Sequence, residues 1–256
     1  MGAVYKGWDK VLKRPVAIKK LRSELQANPR ERERFLKEAE LVASLHHPHI
    51  VDIYTIIKDA DTYLVFEYVS GMTLHDVLNE CPGRRMQPKR ALEILRQIAE
   101  AVDHAHGRHV IHRDLKPSNV MLADGGWVKV MDFGIARQVM DSLLTTTNTI
   151  VGTPVYMAPE QAMGAVVKES DVFALGITLY ELLTGQLPFR GPAEMNDKLE
   201  GRFTPVSAVV PDLGALDLVL KKALSPRAED RYRRCGDLYQ AALRALDGSV
   251  TPATQR

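Results

Sequence analysis

The spacing of apolar positions changes along the chain. In the first part they form short runs rich in β-branched and aromatic residues, bounded by turn residues, at 3–9, 14–21, 50–57 and 62–69. Between the second and third runs, residues 29–45 carry a helical period. This predicts a small sheet with one helix. From Pro88 the period is helical: in PKRALEILRQIAEAVDHAHG, Leu92, Leu95, Ile98, Val102 and Ala105 fall on one stripe, with proline at the start and Gly107 at the end. Further helices are predicted at about 170–184, 212–224 and 236–246. The chain therefore reads as a β-rich lobe of about 80 residues followed by a mostly helical one, with no internal repeat and a loose end at GSVTPATQR.

Composition narrows the class without naming a function. A chain of 256 residues can bury a sizeable core as one large domain or two small lobes. With 45% apolar and 26% charged residues it has neither the signature of disorder nor that of a fibre. A net charge of +2 is too small to argue for nucleic acid or an anionic membrane. The two cysteines, Cys81 and Cys235, lie far apart and read as reduced thiols. The most apolar stretch, VFALGITLYELLTG (172–185), is too short to span a bilayer and contains Glu181, so it predicts a core helix. The charged first 21 residues contain no apolar block of the kind a cleavable signal needs, and the chain is expected in the cytosol.

The candidate chemistry lies in three phrases: VIHRDLKPSNVML (110–122), WVKVMDFGIAR (127–137) after a turn at Asp124, Gly125 and Gly126, and GTPVYMAPE (152–160). In this order and at these spacings they resemble the eukaryotic-type (Hanks-type) protein kinases; Lys116 in DLKPSN and Thr153 in GTP resemble the serine/threonine branch, and RFLKEAELVASLHHPHIV (34–51) and SDVFALGITLYELLTGQLPF (170–189) its bacterial members. The resemblance implies an α+β, bilobal fold, with an N-lobe at 1–69, a larger helical C-lobe at 70–246 and a flexible tail at 247–256. It also implies ATP and Mg²⁺ (or Mn²⁺) as cofactors, and protein substrates with Ser or Thr acceptors. Phosphoryl transfer asks a protein to position two reactants and to neutralise charge on phosphate oxygens. By resemblance, Asp114 orients the acceptor hydroxyl and takes its proton, Lys116 contacts the transferred group, and Asn119 with Asp132 holds the metal. Read alone, Asp114 and Asp132 also fit solvated turn aspartates.

Upstream, RPVAIKK (14–20) reads as a strand whose Lys19 matches the family lysine on the α- and β-phosphates. Its expected partner is Glu38, which at about 100° per residue falls about 60° from Phe35 and about 40° from Val42, on the apolar face of its helix. A carboxylate there requires a cation. TYLVFEYVSGMTL (62–74) resembles the strand and hinge, with Phe66 at the back of the nucleotide pocket and Glu67, Tyr68 and Val69 at the adenine edge. Val4, Ala17 and Met121 are expected around the adenine ring; on composition alone they are core residues. Asp171 is expected to brace the catalytic loop through its backbone, and Glu160 and Arg231 to form a buried ion pair. The resemblance places His112 in a packed spine with Phe133, Val42 and Ile53. The stretches HHPH (46–49) and HAHGRH (104–109) raise a metal site, which the kinase reading disfavours.

The segment between Asp132 and Glu160 contains TTTNT (145–149), and Arg113 precedes Asp114. Autophosphorylation at Thr145 and Thr147, with possible self-association for transfer between copies, is the expected mode of activation. Met1, Gly2 and Val4 match only the end of the family's G-x-G-x-x-G-x-V loop. The expectation is a late start or a fragment, with a true short form as the alternative, and with weak ATP binding and an exposed sheet edge. A longer, membrane-anchored parent protein would fit the bacterial branch. The competing expectations are a non-catalytic scaffold of the same fold and, less favoured, a small-molecule phosphotransferase.

Overall fold

The computed structural model describes residues 4–21, 29–59, 61–134 and 154–248. Four antiparallel strands, β1 (Val4–Asp9), β2 (Arg14–Lys20), β3 (Ile53–Lys58) and β4 (Thr62–Glu67), form a sheet in the order β1-β2-β4-β3. Helix α1 (Pro29–Ala43) buries Phe35, Ala39 and Val42, while Glu38 on the same side is half-buried. β1 forms an edge of this sheet and leaves Val4, Tyr5 and Trp8 exposed.

The second half is helical. After β5 (Gly71–Thr73) and α2 (Leu74–Glu80) comes α3 (Pro88–His106), whose predicted stripe of Leu92, Leu95, Ile98, Val102 and Ala105 is buried. Two short strands, β6 (Val120–Ala123) and β7 (Val128–Val130), pair with β5 in the order β5-β6-β7. Then follow α4 (Pro159–Ala162), α5 (Lys168–Thr184), α6 (Glu194–Glu200), α7 (Val206–Val209), α8 (Asp217–Ala223) and α9 (Cys235–Leu246). α5 is buried from Ser170 to Thr184, so it is the axle of this half rather than an amphipathic surface helix. It ends at Gly185, where φ is 70° and a Cβ would meet the Gly83 carbonyl oxygen at 2.5 Å, so only glycine fits. No described helix is long and apolar enough to cross a membrane. Glu181, within the apolar stretch, is accommodated by hydrogen bonds from the Tyr156 hydroxyl and from Arg84.

Two departures from the expected elements have local causes. The helix expected at 212–224 is two pieces, a 3₁₀ turn over Pro211–Leu216 and then α8, because Leu213 leaves helical geometry (φ −103°, ψ 18°). The strands β5 to β7 span only three or four residues and escape a pattern search that needs alternation over four to eight.

The expected ion pair between Glu160 and Arg231 closes the base of the helical half. Arg231 Nη1 and Nη2 donate to the two Glu160 oxygens at 2.7 and 2.8 Å, and the remaining donors reach the carbonyls of Ser225, Pro226 and Glu169. Thus all five guanidinium N–H donors are used. Burial alone would raise the Glu160 carboxyl, but hydrogen bonds from Arg231 and Ser170, with the Arg231 charge, hold it below the usual carboxylate range. Removing one partner strands a buried charge. Arg231→Met is expected to lower unfolding stability in urea by about 3–5 kcal/mol, and adding Glu160→Leu to recover part of it. A loss below about 1 kcal/mol would show the pair to be no more than a surface contact.

Candidate active site

The loop that carries Asp114 is held from below. Asp171, in the first turn of α5 and 1% exposed, accepts the His112 amide at 2.8 Å on one carboxylate oxygen and the Arg113 amide at 2.9 Å on the other. His106 Nε2, at the end of α3, lies 2.7 Å from the first of these oxygens. These contacts hold Arg113 in the left-handed region, with φ of 67°, a conformation that costs a non-glycine residue on the order of 1–3 kcal/mol. Gln161 adds a bond from its amide to the Arg113 carbonyl at 3.0 Å.

Above this brace the polar side chains converge. Lys116 Nζ is 2.9 Å from Asp114 Oδ2, and Asn119 Nδ2 donates to the same oxygen at 3.0 Å and to the Asp114 carbonyl at 2.8 Å. The Met131 amide donates to the Asn119 carbonyl at 3.0 Å, which ties the loop to Asp132. Asp132 is itself left-handed (φ 56°), and its Oδ1 lies 2.6 Å from Lys19 Nζ on β2. One ion pair therefore joins the four-stranded sheet to the loop after β7.

His112 is positional. Its Nε2 faces the Met131 carbonyl at 3.0 Å and must donate, while Nδ1 receives the Asp114 amide at 3.3 Å and must accept. That is the neutral tautomer, and complete burial pushes the imidazole below its ordinary value. Its ring lies 4.6 Å from that of Phe133, which shares one core cluster with Val42 and Ile53.

The sheet arranges the other expected residues. Val4 is opposite Lys19 across β1 and β2, and Ala17 is opposite Phe66 across β2 and β4. Opposed residues, and residues two apart in a strand, share a face, so Val4, Ala17, Lys19 and Phe66 lie on one side of the sheet. The Glu67 side chain pairs with Lys129 Nζ at 2.7 Å and receives the Asp52 amide at 3.3 Å, leaving the backbone as what it can offer a ligand. Val69 is half-buried just before β5, and Met121 lies on β6 opposite Thr73 and Lys129.

One expected contact is different. Lys19 pairs with Asp132, not with Glu38, which lines a cavity of about 390 Å³ with Arg34, Lys37, His109 and Arg113. Helical period identifies the face on which Glu38 lies, but the cation it meets depends on how α1 sits over the rest of the chain. Thr145 and Thr147 lie outside the described residues. Sequence reasoning also missed Gln161, His106 and Lys129. His106 had a signal in HAHGRH, read there as a histidine cluster; Gln161 and Lys129 had none.

The donor set fits a hard cation. Asn119 directs its amide nitrogen to Asp114, which leaves its carbonyl oxygen, with the Asp132 carboxylate, as oxygen ligands of the kind Mg²⁺ prefers. Asp171→Ala should free the loop while leaving the upper residues in place. For the phosphoryl transfer that the resemblance implies, a fall in kcat of about 100-fold with a nearly unchanged KM for ATP is expected, and an unchanged kcat would contradict the brace.

A sequence profile of the protein kinase domain matches residues 1–241. The chain is 40% identical over 267 aligned residues to serine/threonine-protein kinase PknB of Mycobacterium tuberculosis, covering 99% of this chain and 42% of that protein. It is 43% identical over 202 residues to serine/threonine-protein kinase PrkC of Bacillus subtilis, covering 78% of this chain and 31% of that protein. Thus it spans well under half the length of these curated relatives. The crystal structure of the Mycobacterium tuberculosis PknI kinase domain superposes with a TM-score of 0.78 at 30% identity, over 96% of this chain and 91% of that one. With the braced loop, the metal-type oxygens and the sheet lysine in place, the chain belongs to the protein kinase domain family, in the company of bacterial serine/threonine members.

Proposed function

We propose that the chain transfers the terminal phosphoryl group of Mg-ATP to serine or threonine hydroxyls of proteins. The observation that carries this reading is the connected set Lys116, Asp114, Asn119, Asp132 and Lys19, spanning loop and sheet with contacts of 2.6–3.0 Å. Asp114 accepts the hydrogen bond of the acceptor hydroxyl and takes its proton as the new P–O bond forms. Lys116, beside it, offsets negative charge on the group in transfer. Lys19 reaches the α- and β-phosphates from the sheet. Val4, Ala17 and Met121 contact the adenine ring, and the backbone at Glu67 and Val69 meets its edge. Asn119 and Asp132 would hold the Mg²⁺, which supplies charge neutralisation at the phosphate oxygens when bound. The choice of Ser/Thr over Tyr rests on Lys116 in DLKPSN and on the names of the relatives.

Activation follows from the same electrostatics. Arg34, Lys37, His109 and Arg113 outnumber the one acid, Glu38, in the lining of the cavity between α1 and the loop that carries Asp114. A phosphate on Thr145 or Thr147, carrying about −1.5 to −2 charges, would be drawn there and tie the intervening segment to both. Transfer between two copies of the chain would place it. We locate this chemistry in the cytosol, where ATP and reduced thiols coexist.

Asp114→Asn is the test. Radiolabel transfer from γ-labelled ATP to a protein acceptor is expected to fall by about 10²–10⁴-fold while nucleotide binding is retained. Undiminished transfer would contradict the assignment. Mass spectrometry is expected to find phosphate on Thr145 or Thr147 in the wild type and none in Asp114→Asn; bare threonines in active enzyme would remove autophosphorylation from the account.

A further inference from the structure

On the side of β6 away from Met121 lies a second cavity, of about 540 Å³. Its lining comes from five parts of the chain: Val77 in α2, Cys81 and Met86 in the segment that joins α2 to α3, Leu122 in β6, Leu183 at the end of α5, and Val210 with Leu213. Successive residues of a strand point to opposite faces, so Leu122 turns into this groove while Met121 turns to the other side. The volume is within the range of pockets that take specific ligands, and the lining is largely apolar, with Arg85, Gln87 and Arg90 as its polar members. None of the residues assigned to phosphoryl transfer lines it.

The rim is basic. The joining segment and the first turn of α3, CPGRRMQPKR (81–90), contain Arg84, Arg85, Lys89 and Arg90 and no acid. Arg84 is committed to Glu181 at 3.4 Å and Arg90 to Glu93 at 3.2 Å. Arg85 and Lys89 are exposed and form no ion pair with another described residue; Arg85 and Arg90 line the groove itself. Glu80, exposed at the end of α2, is the acid that precedes the segment. The groove has one uncommitted cation in its wall, Arg85, and a second, Lys89, between the lining residues Pro88 and Arg90, against the exposed Asp212 beside Leu213; this balance favours an occupant with apolar side chains next to carboxylates.

We propose that this groove is a docking site for a short acidic peptide segment of a protein partner, anchored by aliphatic side chains in the trough and by Asp or Glu on Arg85 and Lys89. The site is apart from the phosphoryl-transfer residues, and its occupancy is read without reference to catalysis. Extended or helical segments recognised this way gain specificity from alternate pockets and charge, and affinity mainly from the buried anchors.

Cys81 offers a direct readout. It is the half-buried thiol of the groove, whereas Cys235 is fully buried and its thiol is pushed well up by burial, so maleimide reports on Cys81. Random peptides displayed on phage would be selected on the whole chain and counter-selected on an R85E/K89E variant. Enriched sequences are expected to place Asp or Glu beside Leu, Ile, Val or Phe. A synthetic representative should slow maleimide modification of Cys81 and bind R85E/K89E about tenfold more weakly, with R85Q/K89Q between the two. The proposal is overturned if nothing is enriched, if enriched peptides are basic or bind the variant equally well, or if they leave Cys81 unprotected. Protection by phosphatidylglycerol vesicles alone, with peptides inert, would overturn it in favour of a membrane surface.

Discussion

The arrangement depends on a single buried carboxylate. Asp171 sits where α5 begins, out of contact with water, and its two oxygens take the amides of His112 and Arg113 and the ring of His106. An unpaired carboxylate there would cost several kcal/mol, so these bonds are the condition for its burial as well as its consequence. They fix the backbone immediately before Asp114 and hold Arg113 in a left-handed conformation that an unbraced loop would abandon. A rigid helix thereby sets the position of Asp114, the side chain proposed as catalytic, which lies in a loop.

From that anchor the geometry propagates upward through short links. Asn119 ties Asp114 to the start of β6, the Asn119 carbonyl receives Met131, and Asp132 reaches Lys19. The neutral His112 fills the space beneath with its two nitrogens satisfied, so it orders the loop without taking part in proton transfer. The sheet contributes one charged residue to this set and an apolar face. The two halves share one apolar core cluster, and the Lys19–Asp132 and Lys129–Glu67 ion pairs add charged contacts between them.

Much of this was legible in the chain. The strands of the four-stranded sheet, α1, α3 and α9 announce themselves through apolar period and turn residues, because each buries one stripe or face over enough residues for the pattern to show, whereas α5 shows as a nearly unbroken apolar run because it is buried on all sides. Asp171, Glu160 and Arg231 were also foreseen in their roles, since the phrases that contain them are distinctive. Other features left no local trace. β5 to β7 are too short for alternation, and α6 combines a charged surface with a fully buried Lys198 whose burial depends on its neighbours. The pairing of Lys19 was misjudged for a related reason: the period of α1 locates Glu38 on a face but says nothing of the distance between that face and β2. Gln161 and His106 act through contacts with residues 48 and 65 positions away, which no local pattern encodes.

Hydrogen exchange tests the brace most directly. If Asp171 holds the catalytic loop as described, the amides of His112 and Arg113 exchange only with the opening of the helical half, at a protection close to that of the α5 interior. Exchange of these two amides at the rate of exposed loops, with α5 still protected, would contradict the account.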